Sequence, residues 1–204
     1  VLLLASEWQG GCLGQVGAPQ FDLVPRESAA GSAEPEEEED DIVTDREFDD
    51  FELELEWKIQ PKGNSGIFYR ATEETERIFE NATEVQVLDN LLHPDNKTPL
   101  TLAGANYGLY PSPVDAVKPV GEWNTSRIVL RGEKVEHWLN GEKVTESELN
   151  ADVIRKAVAK RWEKHAPSLY EQLANQPQKE CPVGLQHHND AAWFRNIKIR
   201  RLKP

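Results

Sequence analysis

The chain has no methionine, only two cysteines and no run of about 20 apolar residues, so no helix-type membrane span is expected. Cys12 and Cys181 are too few for a disulfide framework, and no Cys/His spacing matches a structural zinc site. Stability must therefore come from a hydrophobic core. Basic charge is also short: 23 Lys+Arg face 36 Asp+Glu, for a net charge of -13 over 204 residues. A nucleic-acid partner, which would need a basic surface tracking phosphates, is not expected.

What is present is arranged unevenly. Residues 1–41 hold ten acids and one Arg, and residues 26–41 are small, polar and finally a block of like charge that repels itself. These 41 residues read as an acidic tail or linker, and residues 42–204 as one domain. Val1–Ala5, followed by small residues and Cys12, fits the remnant of an export signal or lipoprotein cleavage site, although Glu7, Trp8 and Gln9 suit such a signal badly. A frayed start is the plainer account.

From Phe51 the period becomes two. Phe51, Leu53, Leu55, Trp57 and Ile59 alternate with Glu52, Glu54, Glu56 and Lys58, which predicts a half-buried strand. Pro61–Asn64 supplies a turn into a paired strand over Ser65–Arg70. Further strands are expected at Glu84–Leu88, Trp123–Arg131, Lys134–Leu139, Val183–His188 and Trp193–Ile199, with Asn140-Gly141 as a primed turn onto Lys143-Val144. Between Thr145 and Gln176 the period drifts toward 3.6, predicting a small helical insertion. The fold class is all-β: a sandwich of two antiparallel sheets.

Several strands carry mixed hydrogen-bonding residues on the face away from the core: Glu56 and Lys58, Asn64 and Arg70, Glu84 and Gln86, Gln186 and His188. Were these strands neighbours in one sheet, the pairs would line one concave surface suited to a sugar. Carboxylates, amides and Arg would take its hydroxyls, and Trp123, Tyr107 or Trp193 would stack on its C–H face.

Phe48–Leu53 with Glu56-Trp57-Lys58, Gly63–Arg70, Glu84–Asn90, Tyr107–Tyr110, Gly121–Asn124, His137–Gly141, Gly184–His188 and Phe194–Ile197 together resemble the 3-keto-disaccharide hydrolase domain. The resemblance runs in order from about Ile42 to Lys203. It implies a concanavalin-like jelly roll, bacterial origin, a secreted or periplasmic location, and action on an oligosaccharide or glycoside oxidised at C3. Two departures stand out. The family's opening strands have no clear counterpart in residues 1–41, and its Gln-Asp-His motif appears as Gln186-His187-His188, leaving open any role of that acid.

A ketone at C3 acidifies the C2 proton, so a base can remove it and the C1 substituent can leave; water then adds to the enone. His188 is the first choice for proton transfer, because imidazole titrates near neutrality, and Glu84 is the alternative base or its partner. Asn64, Arg70, Gln86, Asp89, Tyr107, Trp123, Asn124 and Gln186 are candidate substrate-binding residues, with Arg70, Asn64 and Gln86 suited to the hydroxyls and the enolate. No cofactor is assigned for certain. A divalent cation on Glu84, Asp89 and His188 would be an alternative way to polarise the ketone. The rival class is a non-catalytic carbohydrate-binding or interaction module on the same fold, which needs hydroxyl contacts but no titrating base.

Overall fold

Strand β4 (Phe51–Ile59) is the organising element, and its burial alternates as its sequence does. Phe51, Leu53, Leu55, Trp57 and Ile59 are all buried, while Glu54 between them is exposed. Such a ribbon has one face to hide and needs a second layer to cover it, here another sheet. The computed structural model describes residues 2–4, 23–25, 41–71, 78–80, 82–150, 152, 154–156 and 180–203. Its other strands are β1 (Leu2–Leu4), β2 (Leu23–Pro25), β3 (Ile42–Thr44), β5 (Asn64–Tyr69), β6 (Thr83–Leu88), β7 (Asn124–Arg131), β8 (Lys134–Leu139), β9 (Glu142–Glu148), β10 (Gly184–Leu185) and β11 (Ala192–Arg201).

They form a six-stranded sheet in the order β1-β11-β4-β7-β8-β9 and a five-stranded sheet in the order β2-β3-β10-β5-β6. Inward side chains of both sheets make one core, with Leu55, Trp57, Phe194 and Ile128 from the first meeting Ile67, Tyr69, Val85 and Leu185 from the second. All pairings are antiparallel except β1 on β11, where Leu2 lies beside Trp193 in parallel register. Turn chemistry sets the hairpins: Asn140 and Gly141 have φ of 51° and 90°, the left-handed pair that a primed two-residue turn requires between β8 and β9. Asn196, at φ 52°, sits where the β11–β4 register shifts.

Two boundaries depart from the sequence reading. Residues 1–41 are not wholly a tail, because Leu2–Leu4 and Leu23–Pro25 each add an edge strand, one to either sheet; a short apolar run has ladder groups to satisfy and finds them at an open edge. Thr145–Glu148 belongs to β9 and not to a helix, because Thr145, paired opposite His137, continues the hairpin. Helix is seen at Ile154–Lys156, and residues 151, 153 and 157–176 of the expected insertion lie outside the described residues. Among the described residues no helix is long and apolar enough to cross a membrane.

Cys181, just before β10, is buried, and that burial pushes its thiol up to about 12. It should resist iodoacetamide at pH 8 in the folded protein and react only after unfolding in denaturant. Peptide mapping that finds Cys181 alkylated in the native state would show that this end of the core opens.

Candidate functional site

The outward faces of the two sheets differ in kind. On β4 the outward residues reach solvent, whereas β5 and β6 are buried at all six positions each, so their outer face is covered as well as their inner one. Ile67, Tyr69, Val85 and Val87 take the core side. Strand alternation then sends Asn64, Gly66 and Phe68 of β5, and Glu84 and Gln86 of β6, to the outer face. Gln186 follows Leu185 of β10 and turns the same way. Phe68 packs there with Val43, Ala71, Ile78 and Ala82, forming an apolar wall beside the polar group.

Gly66 is the centre of that group. Gln86 pairs with it across β6, and on the β10 side the Gln186 amide donates to its carbonyl at 2.9 Å. Glu84 pairs with Phe68, but its side chain lies over Gly66: a Cβ built on Gly66 would stand 2.6 Å from Glu84 Oε1. The side-chain amide of Gln86, at both Oε1 and Nε2, together with Asn64 Oδ1 and Gln186 Oε1, is buried without a hydrogen-bond partner. An unmet buried polar atom costs about 1–3 kcal/mol, so these three side chains, on the sheet face that also carries Glu84, mark a place where a polar, many-handed ligand would find donors and acceptors waiting.

The open edge of β6 is closed by the loop after it. Gly104 N donates to Gln86 O at 2.8 Å, Gln86 N to Ala105 O at 3.1 Å, and Tyr107 N to Glu84 O at 2.9 Å. Behind this loop, in the core, His137 of β8 donates from Nδ1 to Gly104 O at 3.1 Å and accepts at Nε2 from the Tyr69 hydroxyl at 2.9 Å. The carbonyl can only accept, which settles the tautomer. Burial, partly offset by that bond to Gly104, holds His137 down to about 4, and burial raises the Tyr69 hydroxyl above its ordinary range. Both stay neutral and tie the two sheets together beneath the site.

Of the residues expected from sequence, the fold brings together Asn64, Glu84, Gln86 and Gln186, with Tyr107 alongside through its backbone. His188 stands exposed at the edge of this group, in a turn anchored by Asp190, whose carboxylate accepts from Asn64 N at 3.1 Å and Gln60 Nε2 at 2.9 Å. Arg70 leaves the group: its left-handed φ of 54° breaks the alternation, and its guanidinium donates to Gly132 O in the β7–β8 turn of the other sheet. Trp123 is on the wrong sheet for stacking beside Glu84. Its ring lies under the Arg195 guanidinium at 3.9 Å, with Lys58 Nζ 5.0 Å away, on the outer face of the six-stranded sheet. Glu56 pairs with Arg195 at 2.6 Å on that same face, and Lys58 also covers Trp193, so the Glu56 and Lys58 pair does not share the surface of Glu84.

Asn124 and Asp89 hold backbone. Asn124 Oδ1 accepts from Lys118 N and Asn140 Nδ2, and the Asp89 carboxylate accepts from the amides of Lys62, Leu91 and Leu92. With Asp89 so engaged, Glu84, Asp89 and His188 do not form a ligand set; among the described residues no three His, Cys, Asp or Glu side chains cluster as a metal site would require. Sequence reasoning passed over Gly66 and Asp190. A glycine in a strand interior is a signal of close approach, and Gly66 carried it.

The model of the 3-keto-alpha-glucoside-1,2-lyase-like domain matches residues 6–200. The chain belongs to that family. The chain is 36% identical over 183 residues to a Bacteroides thetaiotaomicron protein named 3-keto-disaccharide hydrolase, covering 79% of this chain and 62% of that one. It therefore spans less than two thirds of that relative's length. Two solved Parabacteroides distasonis structures, provisionally assigned as glycosyl hydrolases, are also similar. One is 29% identical with a TM-score of 0.68, covering 80% of this chain and 74% of the other. The second is 31% identical with a TM-score of 0.63, covering 79% and 83%.

Proposed function

We propose that the domain cleaves 3-keto-glycosides or 3-keto-disaccharides on the outer face of its five-stranded sheet, with Glu84 as the base. The observation that carries this reading is a buried carboxylate on a strand face shared with Asn64, Gln86 and Gln186, each of which has a buried side-chain atom without a hydrogen-bond partner. The amides suit a hydroxylated ring, and the carboxylate adds what a binding surface does not need. Glu84 takes the proton from C2 and the electrons pass to the C3 oxygen as an enolate. Their return expels the C1 substituent, which leaves with a proton. Water then adds at C1 and C2 regains a proton, so the sum is hydrolysis. Glycosidases of the ordinary kind use two opposed carboxylates, and this route requires only one.

Gln86 is assigned the enolate. It lies two residues from Glu84 on the same face, which sets their Cα atoms roughly 6.6 Å apart, and a base at C2–H and a donor at the neighbouring C3 oxygen need a similar spread. Asn64 and Gln186 hold hydroxyls, and Tyr107 borders the site. His188, at the exposed edge, is assigned the proton delivered to the leaving oxygen.

The test compares a 3-keto-disaccharide with its unoxidised parent. Release of the C1 substituent from the ketone alone is expected, because the parent has no acidic C2 proton. Binding of both sugars with turnover of neither would make the domain a carbohydrate-binding module.

A further inference from the structure

Gly66 has no backbone reason to be glycine. It sits inside β5, and its φ is not in the left-handed range that Gly104, Gly108, Gly121, Gly132 and Gly141 adopt. In a strand interior glycine is a cost relative to Ala. Space is the remaining explanation, and what fills the space differs between the extended glycines. At Gly63 the nearest atom to a built Cβ is a backbone oxygen, Gln60 O at 2.8 Å; at Gly184 it is the apolar Ile78 Cδ1 at 2.7 Å. At Gly66 the three nearest atoms all belong to one side chain: Glu84 Oε1, Cγ and Cδ at 2.6, 2.9 and 3.0 Å.

We infer that Gly66 is a positioning residue, whose missing side chain is the slot that fixes the Glu84 carboxylate between Gln86 and Gln186. Glu84 sits opposite Phe68, which belongs to the apolar cluster with Val43 and Ile78. The carboxylate crosses diagonally to Gly66, which has no Cβ. There it lies over the residue that Gln86 and Gln186 flank from either strand. The inference rests on Glu84 being the working carboxylate of the proposed reaction.

The slot makes an unusual signature in Gly66→Ala. The three atoms nearest the added methyl all belong to the Glu84 side chain, so that side chain must give way and the fold should survive, and a strand Ala in place of Gly should leave the melting temperature unchanged or raised. Turnover of a 3-keto-disaccharide should fall about 100-fold, as misplacement of a reacting group by about 1 Å can cause, with KM changed less than about threefold. Glu84→Asp, which withdraws the carboxylate by one methylene, should cost far less in the Gly66→Ala background than alone, because the two residues act as one unit. Additive losses, or loss of activity together with a lowered melting temperature, would overturn the assignment. A crystal structure of Gly66→Ala separates this from the reaction itself: a displaced Glu84 carboxylate supports the slot even if the wild type turns over no ketone, and an unmoved one rejects it.

Discussion

Glu84→Gln is expected to lower turnover of a 3-keto-disaccharide by about 100-fold or more while leaving substrate affinity within a few-fold. The substitution keeps the size of the side chain and its place over Gly66, and it removes only the ability to accept the C2 proton; a general base typically contributes about 10²–10⁴-fold. The defect should appear in kcat, since an interaction made only as the proton moves is absent from the ground state. His188→Ala is the companion measurement. If His188 delivers the proton to the leaving group, the loss should be smaller for substrates with acidic leaving groups, which depart without help. A wild-type rate in Glu84→Gln, with the ketone still cleaved, would remove Glu84 as the base and leave His188 as the only proposed proton-transfer group.

Acid should destabilise the fold through His137. Its imidazole is held to about 4 in the folded protein against 6.5 when exposed, so the unfolded chain takes up a proton that the folded one refuses. The contribution is fully present above pH 6.5 and is lost as pH falls from 6.5 toward 4. A shift of that size corresponds to about 3 kcal/mol, a large share of the stability of a single domain. Carboxylates also titrate at the lower end of this window, so the measurement is a difference. Urea unfolding of wild type and His137→Gln at several pH values should give a gap that changes by about 3 kcal/mol between pH 7 and 4. Gln can still donate toward Gly104 and accept from Tyr69 but carries no charge at any pH. Parallel curves for the two proteins, or an NMR titration of His137 near 6.5, would defeat the prediction.

The acid limb also bears on the site. His137 and Thr145 both donate to Gly104 O, and Gly104 and Ala105 bond the backbone of Gln86. The neutral core network and the covered outer face of β6 are thus joined through one carbonyl, and loss of the first loosens the edge that carries Glu84 and Gln86.

How much of this could be read from residue order depends on the range of the interaction involved. The nine-residue alternation of β4 is local, because successive side chains must point to opposite faces, and it placed Trp57 in the core and Glu56 outside. The Asn140-Gly141 turn is local too, because few residues other than Asn and Gly adopt consecutive positive φ readily. The motifs from Phe48 to Ile197 carried the family. Alternation tells which residues share the face of a strand, but it is silent on which sheet the strand joins. That choice is made by pairing across long separations: β10 enters between β3 and β5, and so brings Gln186 to Gly66, 120 residues away in the chain. The same nonlocal pairing put Trp123, Glu56 and Lys58 on the other sheet. A single left-handed residue turned Arg70 toward Gly132, and the slot over Gly66 exists only because Glu84 leans across from a neighbouring strand. Local sterics therefore determined the strands and their two faces, and tertiary packing alone decided which faces meet to make a site.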